Sequence, residues 1–309
     1  MKLNVDEIQK KLNEIGYVAN ADIAYALSGT INNRTPLLVE GEPGNGKTYL
    51  AKALAKITNA KLIRIQMYDG ITPDKILYDY DYQRQLLTIE AIKSTLKKTF
   101  KEQTLEESIK AAAGINFYDK SFLIYRPVLQ ALTSEEPVVL LIDEIDKTSE
   151  ELEYALLEIL DEFSMTIPQY GTIKCPEEKR PMVIMTSNNY RELSDATKRR
   201  CNYLYIEKKT KEETRKIIEL QSKLNTQEAN AAAECLVKIQ EQDLKQTPSI
   251  AEAINWAIYI KENQELKKED YQSTAFLLAK NQSDNKIIQA VLKENNETIE
   301  KIKDETKGN

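Results

Sequence analysis

Short apolar runs alternate with helical segments through the first two thirds of the chain. Each run is only long enough for one buried strand, and residues with helical spacing follow it. Strands that alternate with helices predict a parallel sheet covered by helices on both faces, and hence an α/β fold. The expected strands are Leu37–Glu40, Leu62–Gln66, Val138–Ile142, Met182–Ser187 and Tyr203–Ile206.

Strand signals disappear from about Thr210 onward. The remaining segments have helical periodicity and are separated by Asn, Gln, Asp, Pro and Lys residues. We therefore predict an α/β core at residues 1–209 and an all-helical domain at residues 210–309. The helices expected in this second domain are Lys211–Leu224, Ala229–Gln240, Ser249–Ile260, Ser273–Leu278 and Asp284–Glu294.

A glycine-rich segment lies between the first predicted strand and a predicted helix. Residues 41–48 read Gly-Glu-Pro-Gly-Asn-Gly-Lys-Thr and match the phosphate-loop pattern G-x-x-x-x-G-K-[ST]. The glycines let backbone N–H groups face phosphate oxygens, which the flanking strand and helix favour over an exposed turn. Lys47 is predicted to reach the β- and γ-phosphates, and Thr48 to bind Mg²⁺. The predicted nucleotide contacts are Gly41, Glu42, Pro43, Gly44, Asn45, Gly46, Lys47, Thr48 and Tyr49.

Polar side chains follow two later strands. Val138–Ile142 runs directly into Asp143 and Glu144, and Met182–Ser187 is followed by Asn188. We expect Asp143 to hold Mg²⁺ and Glu144 to polarise the attacking water. Asn188 is expected to orient that water against the γ-phosphate. Strand-terminal turns also favour these residue types, but the upstream phosphate loop favours the catalytic interpretation.

A basic cluster ends the short helix predicted near Ser194. Lys198, Arg199 and Arg200 stand directly before Cys201 and the last predicted strand. Cations stabilise a helix C-terminus through the helix dipole, which is one explanation of the cluster. The other explanation is an arginine finger, a guanidinium offered to the γ-phosphate of a neighbouring subunit.

Composition limits the chemistry and the partners. The chain has 309 residues, a net charge of −6, three cysteines and no histidine. The lack of histidine excludes His-based triads and His-ligated metals, and three widely spaced cysteines fit no zinc site. The negative charge gives no global attraction to nucleic acid, and the aliphatic run at Val138–Ile142 is too short to span a bilayer. We expect a cytoplasmic protein that binds neither nucleic acid nor membrane.

The order of these motifs resembles that of the AAA+ ATPases, and most closely the MoxR group. The phrases Arg126–Ala131 and Pro248–Ala253 are also similar, so the likeness covers roughly Gly16 to Ile260. It implies a P-loop NTPase core, a three-layer α/β/α parallel sheet, followed by a small helical lid. By this resemblance the Walker A residues are Lys47 and Thr48, the Walker B residues Asp143 and Glu144, sensor 1 Asn188, and the arginine finger Arg200 or, failing that, Arg199.

One lid position departs from the family pattern. Many relatives have an arginine in the lid helix that touches the γ-phosphate, and the corresponding slot here holds Ala251. We therefore expect the lid to sense nucleotide less directly and hydrolysis to depend more on the neighbouring subunit's arginine. A related subset that works beside von Willebrand factor A-domain proteins tolerates the same change.

Two insertions are similar to inserts of the same branch. Residues of about 70–85 resemble its helix-two insert, and their tyrosines either face a substrate or form a packed ledge. Residues 163–174 alternate apolar and polar positions and turn near Pro168 and Gly171, which predicts a hairpin. The acidic helix expected at 149–163 has the pattern of a solvated amphipathic helix.

The resemblance implies a ring-forming, Mg²⁺-dependent ATPase, expected as a hexamer. Such a motor couples ATP hydrolysis to chaperone-like remodelling or maturation of a client protein or metalloenzyme, and a von Willebrand factor A-domain protein is the partner that it suggests. Two alternatives stay open: an AAA+ motor acting on nucleic acid, and a nucleotide-gated scaffold with little hydrolysis. The sequence does not distinguish ATP from GTP, name the client or fix the ring stoichiometry.

Overall fold

The computed structural model describes residues 2–99 and 116–303. Its strands are β1 (Leu37–Glu40), β2 (Lys61–Gln66), β3 (Tyr78–Tyr80), β4 (Leu123–Tyr125), β5 (Val138–Asp143), β6 (Ser164–Ile167), β7 (Gly171–Lys174), β8 (Met182–Ser187) and β9 (Asn202–Tyr205). Its helices are α1 (Val5–Glu14), α2 (Ala21–Asn33), α3 (Lys47–Thr58), α4 (Pro73–Ile76), α5 (Tyr82–Thr99), α6 (Pro127–Leu132), α7 (Glu150–Glu162), α8 (Asp195–Arg199), α9 (Lys211–Gln221), α10 (Thr226–Gln240), α11 (Ile250–Glu262), α12 (Gln282–Glu294) and α13 (Asn296–Lys303). Short 3₁₀ helices are also present.

Five strands form a central parallel sheet in the order β2-β5-β8-β1-β9. β5 and β8 are buried at every position, which explains why they read as continuous apolar runs instead of alternating ones. Neighbours in the sheet are not consecutive in the chain, so crossover connections must join them, as helices do in α/β proteins. The predicted α/β class, with a parallel sheet, flanking helices and a helical C-terminal region, is confirmed.

The register between β2 and β5 determines which side chains meet at the carboxyl end of the sheet. Ile65 pairs with Ile142, and Gln66 pairs with Asp143. On the other side of β5, Ile142 pairs with Met185 of β8. Because parallel strands end at the same edge, the residues that follow β5 and β8 come close to the last residues of β2.

The chain forms two compact units. The first is drawn from Met1–Ser28, Val39–Ile57 and Leu204–Asn309, and the second from Gly29–Leu38 and Thr58–Tyr203. The phosphate loop belongs to the first unit, and the ends of β5 and β8 belong to the second. The boundary between core and lid near residue 209 stays a prediction.

The second unit carries two small antiparallel sheets that are separate from the central sheet. β3 pairs with β4, and Tyr78 lies opposite Tyr125. β6 and β7 form a hairpin in which Ile167 lies opposite Gly171. The phenol of Tyr80 donates a hydrogen bond to the carbonyl oxygen of Pro168 at 2.8 Å, which ties the segment at β3 to this hairpin.

The C-terminal region is built from helices around a core that contains two buried aromatic side chains. Trp256 and Tyr271 are fully buried, and the indole N–H of Trp256 donates to Thr274 Oγ1 at 2.8 Å. Ser249 caps α11, and Glu252 completes a capping box with it. The helix predicted at Ser273–Leu278 is a 3₁₀ helix over Tyr271–Leu277. Among residues 2–99 and 116–303, no helix combines the length and apolarity needed to cross a membrane.

Candidate functional site

The phosphate loop, Gly41–Thr48, connects β1 to α3 and depends on backbone angles that favour glycine. Gly44 and Gly46 have φ angles of +87° and +88°, in the left-handed region. At Gly41 the constraint is closer contact, because an added Cβ would lie 2.5 Å from the carbonyl oxygen of Ile206. The same carbonyl accepts a hydrogen bond from the Asn45 amide at 3.1 Å. The loop is therefore anchored to the segment after β9.

Lys47 lies folded over this loop. Its side chain is buried, and its ammonium donates to the carbonyl oxygens of Gly41 at 2.6 Å and of Glu42 at 2.9 Å. Thr48 lies beside it in the first turn of α3, where the helix N-terminus favours anions. A triphosphate site needs a curled backbone that presents N–H groups, a lysine ammonium and a helix N-terminus, and this loop has all three.

A cleft of about 150 Å³ opens beside the phosphate loop, within the same unit. The rings of Tyr17 and Tyr49 stack in it with centroids 5.8 Å apart. Ala251, the residue in the predicted lid-sensor slot, contributes to its wall. The other lining residues are Val18, Gly44, Asn45, Gly46, Lys209, Ile217, Gln221 and Ile250. Apolar and aromatic side chains next to a phosphate loop form a suitable surface for a nucleotide base.

The structure brings Asp143, Glu144 and Asn188 together, and we call these residues the strand-end cluster. The side-chain amide of Asn188 donates to Glu144 Oε1 at 3.1 Å. Asp143 is almost completely buried, and its Oδ1 accepts a hydrogen bond from Thr186 Oγ1 at 2.5 Å. Thr186 Oγ1 in turn accepts from the backbone N–H of Glu144 at 2.9 Å. One threonine hydroxyl thus fixes both acidic residues.

Glu144 has a constrained backbone and a fully engaged carboxylate. Its φ angle is +60°, which is uncommon for a residue with a side chain. Besides the contact of Oε1 with Asn188, Oε2 accepts from the Gln66 amide at 2.8 Å and pairs with the Lys147 ammonium at 2.7 Å. The hydrogen bond to Glu144 raises the pKa of Lys147, which therefore stays charged. Lys147 also lies 5.2 Å from the ring centroid of Tyr190.

Asp146 positions the segment that carries Asn188. It is buried, and its Oδ2 accepts hydrogen bonds from the backbone N–H groups of Asn188 at 3.0 Å and Tyr190 at 2.8 Å. The sequence analysis did not identify four residues as parts of the site: Gln66, Asp146, Lys147 and Thr186. The alternation of β2 could have indicated that Gln66 faces away from Ile63 and Ile65, but its partner depends on the register with β5.

A buried acid in α7 organises the chain that leads to the arginines. Glu153 accepts hydrogen bonds from the Ser194 backbone N–H at 2.9 Å, from Ser194 Oγ at 2.7 Å and from Thr197 Oγ1 at 2.6 Å. It also pairs with Arg191 at 2.6 Å. Burial opposes its charge, but these hydrogen bonds outweigh burial and hold the pKa of Glu153 below its usual value. The prediction that residues 149–163 form only a solvated helix is wrong at this position. Glu153 is buried and accepts hydrogen bonds from the segment at Ser194–Thr197.

The two candidate arginines differ in their surroundings. Arg199 is exposed at the end of α8. Arg200 follows as the C-cap, and its guanidinium donates to Asp161 Oδ2 at 3.2 Å and to the Ala196 carbonyl oxygen at 3.0 Å. These contacts hold Arg200 in a defined position. Its function as an arginine finger requires a second subunit and stays a prediction.

The comparison with known families agrees with this arrangement. The family model for the AAA domain (dynein-related subfamily) matches residues 36–201, more than half of the chain. The match includes the phosphate loop, the strand-end cluster and both arginines. No curated protein matches the sequence. The chain therefore belongs to the dynein-related subfamily of AAA+ ATPases.

Proposed function

We propose that this protein is a Mg²⁺-dependent ATPase of the MoxR type that uses hydrolysis to remodel or mature a client protein. The observation that carries the proposal is the 3.1 Å contact between Asn188 and Glu144 beside the buried Asp143. Phosphate loops occur in proteins that only bind nucleotide, whereas hydrolysis also needs groups that hold and polarise a water. Glu144 can polarise the water and Asn188 can hold it, so this site does not require a histidine.

The residues available fit a magnesium ion. The Thr48 hydroxyl and the Asp143 carboxylate are oxygen ligands of the kind that this hard cation prefers, and water and phosphate oxygens commonly complete its shell. Bound there, Mg²⁺ would neutralise charge on the β- and γ-phosphate oxygens. Glu144 would then accept a hydrogen bond from the attacking water, and Asn188 would orient it. Lys47 would exchange the carbonyls of Gly41 and Glu42 for phosphate oxygens.

We further propose that the active form is a ring, expected as a hexamer, in which Arg200 acts on the neighbouring subunit's nucleotide. AAA domains commonly form rings, and the hydrogen bonds of Arg200 to Asp161 and Ala196 support a preorganised guanidinium. The lid position that holds an arginine in many relatives holds Ala251 here. Hydrolysis should therefore depend more strongly on Arg200 of the neighbouring subunit. Arg199 is the alternative finger.

The family resemblance is the basis for proposing a client protein. We also propose a cytoplasmic location and a boundary between core and lid near residue 209. A von Willebrand factor A-domain protein is the partner that this branch suggests. The segment at β3 and the β6–β7 hairpin flank a cavity of about 610 Å³ in the second unit, lined in part by Tyr78 and Tyr82. These inserts are the proposed surface that moves against the client.

Phosphate release by the assembled protein tests the proposal. Wild-type protein should hydrolyse ATP, and subunits with Lys47→Ala or Arg200→Ala should each be inactive alone. Mixed rings should regain part of the activity, because one subunit then supplies the intact loop and its neighbour the arginine. An assembled wild-type protein without affinity for ATP or GTP in the presence of Mg²⁺ would refute the proposed function. Absence of rescue at every mixing ratio would refute only the arginine finger.

A second candidate, a nucleotide-gated scaffold with little hydrolysis, is favoured by one observation. Both carboxylate oxygens of Glu144 are engaged by Gln66, Lys147 and Asn188, so a water must compete with these donors. The same assay separates the two functions. Tight, Mg²⁺-dependent binding with phosphate release no faster than that of Glu144→Gln would support the scaffold.

A further inference from the structure

Arg64 on β2 contacts the carboxylate that is proposed to bind magnesium. Its Nε and Nη2 atoms both donate to Asp143 Oδ2, at 3.0 and 2.6 Å. The two side chains differ in exposure: that of Arg64 is 46% exposed, whereas that of Asp143 is 3% exposed. A fixed, buried anion is therefore paired with a cation whose side chain has room to move.

The same guanidinium is connected to Glu144 through one residue. Arg64 Nη2 also donates to Gln66 Oε1 at 2.5 Å. Gln66 uses its amide nitrogen to donate to Glu144 Oε2 at 2.8 Å. The hydrogen bond from Arg64 thus fixes which end of the Gln66 amide faces Glu144. Arg64 contacts the metal-binding carboxylate directly and the water-polarising carboxylate through Gln66.

Electrostatics makes this arrangement dependent on the metal. A buried carboxylate without a compensating charge is unfavourable, and the ion pair with Arg64 supplies such a charge to Asp143. A divalent ion at the same carboxylate removes the need for the guanidinium and repels it. Because Arg64 is long and half exposed, its side chain can swing into solvent at small cost.

We propose that Arg64 is a positioning residue that holds Asp143 in the metal-free protein and gives way when Mg²⁺ and nucleotide bind. This inference rests on the proposed function, because it assumes that Asp143 binds the metal. When Arg64 leaves, Gln66 loses the bond that orients its amide, and its contact with Glu144 weakens. Arg64 thereby couples arrival of the metal to release of Glu144 for its water.

Nucleotide binding measured as a function of Mg²⁺ concentration tests the proposal. A fluorescent ATP analogue is titrated with Mg²⁺ in wild-type protein and in Arg64→Gln. Removal of the competing cation should lower the half-saturating Mg²⁺ concentration about fivefold, the limit for a partly exposed charge pair. Arg64→Lys keeps the charge and should stay within about twofold of wild type. Lys61→Gln, which removes one exposed charge from the same strand, should show no change.

Kinetics distinguish this role from a merely structural one. At saturating Mg²⁺, Arg64→Gln should have the wild-type kcat, because the guanidinium has already left in the wild-type protein. At limiting Mg²⁺ the variant should be faster than wild type. A kcat lowered at every Mg²⁺ concentration, or an unchanged half-saturating concentration, would overturn the inference. Wild-type protein without any Mg²⁺-dependent nucleotide binding would instead refute the proposed function.

A measurement on the wild-type chain avoids any effect of the substitution on folding. Phenylglyoxal modifies accessible arginines, and mass spectrometry of peptides gives the rate at each site. Arg64 should react faster with ATP and Mg²⁺ than with ATP and EDTA, while Arg84, held by the Ser121 carbonyl at 2.9 Å, serves as the reference. Equal rates at Arg64 under the two conditions would contradict the proposal.

Discussion

The phosphate loop and the strand-end cluster are both built for a charged ligand, but they are held in different ways. The loop is shaped by its backbone, with left-handed glycines and an ammonium bonded to two carbonyls only five and six residues away. The strand-end cluster is held mainly by side chains of β2, β5 and β8, through partners 42 to 79 residues distant in sequence, and Lys147 is its one near neighbour among the contacts described above. Apart from its anchor at Ile206, the loop is therefore encoded locally, whereas the strand-end cluster depends mainly on strand order and register.

This difference suggests that the loop determines nucleotide binding and that the strand-end cluster determines the rate of hydrolysis. A loop whose donors are backbone groups is preorganised and has few alternative arrangements. The strand-end cluster has several, because the ion pairs of Asp143 and Glu144 are made with partly exposed cations that solvent can reach. We expect substitutions in the loop to change affinity and stability, and substitutions at Glu144 and its direct partner Lys147 to change the rate.

The largest expected effect is that of Glu144→Gln. The amide cannot accept a proton from water, so kcat should fall about 10³-fold, or about 4 kcal/mol in the barrier. Affinity for ATP should be preserved, because the loop in the other unit is unchanged. Phosphate release and equilibrium binding of a fluorescent nucleotide measure the two quantities. Glu150→Gln, an exposed acid at the start of α7, is the matched control. Loss of binding together with turnover would show that the two regions are not separable.

The next effect concerns the buried acid that organises the segment leading to the arginines. Glu153→Gln removes the charge that pairs with Arg191 and weakens the hydrogen bonds from Ser194 and Thr197. We expect a loss of about 2–3 kcal/mol in the free energy of unfolding at neutral pH. Denaturant titrations of the variant and of Glu151→Gln, an exposed neighbour, measure it.

The pH dependence of that loss has a defined sign. Because the pKa of Glu153 lies below its usual value of 4.5 in the folded state, its contribution is complete above that value. It disappears as the pH falls through the lower, folded-state pKa. The difference in stability between wild type and Glu153→Gln should therefore shrink steadily as the pH falls below 4.5, measured by the same titrations. A constant difference down to pH 3 would mean that the charge of Glu153 is not what stabilises the segment.

A smaller effect tests whether the backbone really shapes the loop. Gly41→Ala would place a Cβ 2.5 Å from the Ile206 carbonyl oxygen, at a φ angle of +151°. Gly70 has a φ angle of +80° with nothing within 4 Å of an added Cβ, so Gly70→Ala introduces backbone strain without a clash. We expect about 2 kcal/mol of destabilisation for Gly41→Ala and about 1 kcal/mol for Gly70→Ala. Only the former should weaken nucleotide binding. Equal effects of the two would contradict a loop fixed by close contact with Ile206.

The same contrast explains how much the sequence alone could predict. The strands of the sheet, and Asp143, Glu144 and Asn188 as their terminal residues, follow from apolar runs and from the residues that end them. The glycines and Lys47 follow from a contiguous motif. The roles of these residues in hydrolysis stay predictions.

Other parts could not be predicted, for definite physical reasons. Helix α1 was not expected, although Asn4 and Glu7 form a capping box that marks its start. The burial of Glu153 is not predictable from the helix alone, because its partners Ser194 and Thr197 lie about 40 residues later in the sequence. The contacts of Arg64 and Lys147 depend on register and on the left-handed backbone at Glu144, which no local pattern reveals.

The smallest expected effect is that of Lys147→Ala, and it has the opposite sign to the others. The ammonium of Lys147 occupies Glu144 Oε2 at 2.7 Å, so its removal leaves that oxygen to Gln66 and to the attacking water. We expect kcat for ATP to rise about threefold, consistent with the small energy of a partly exposed pair. Lys147→Arg keeps an ion pair at this position and should return the rate towards wild type. Affinity for nucleotide should not change, because Lys147 lies in the second unit and makes none of the contacts that hold the loop. A lower rate in Lys147→Ala would mean that this lysine supports the active position of Glu144 and does not restrain it.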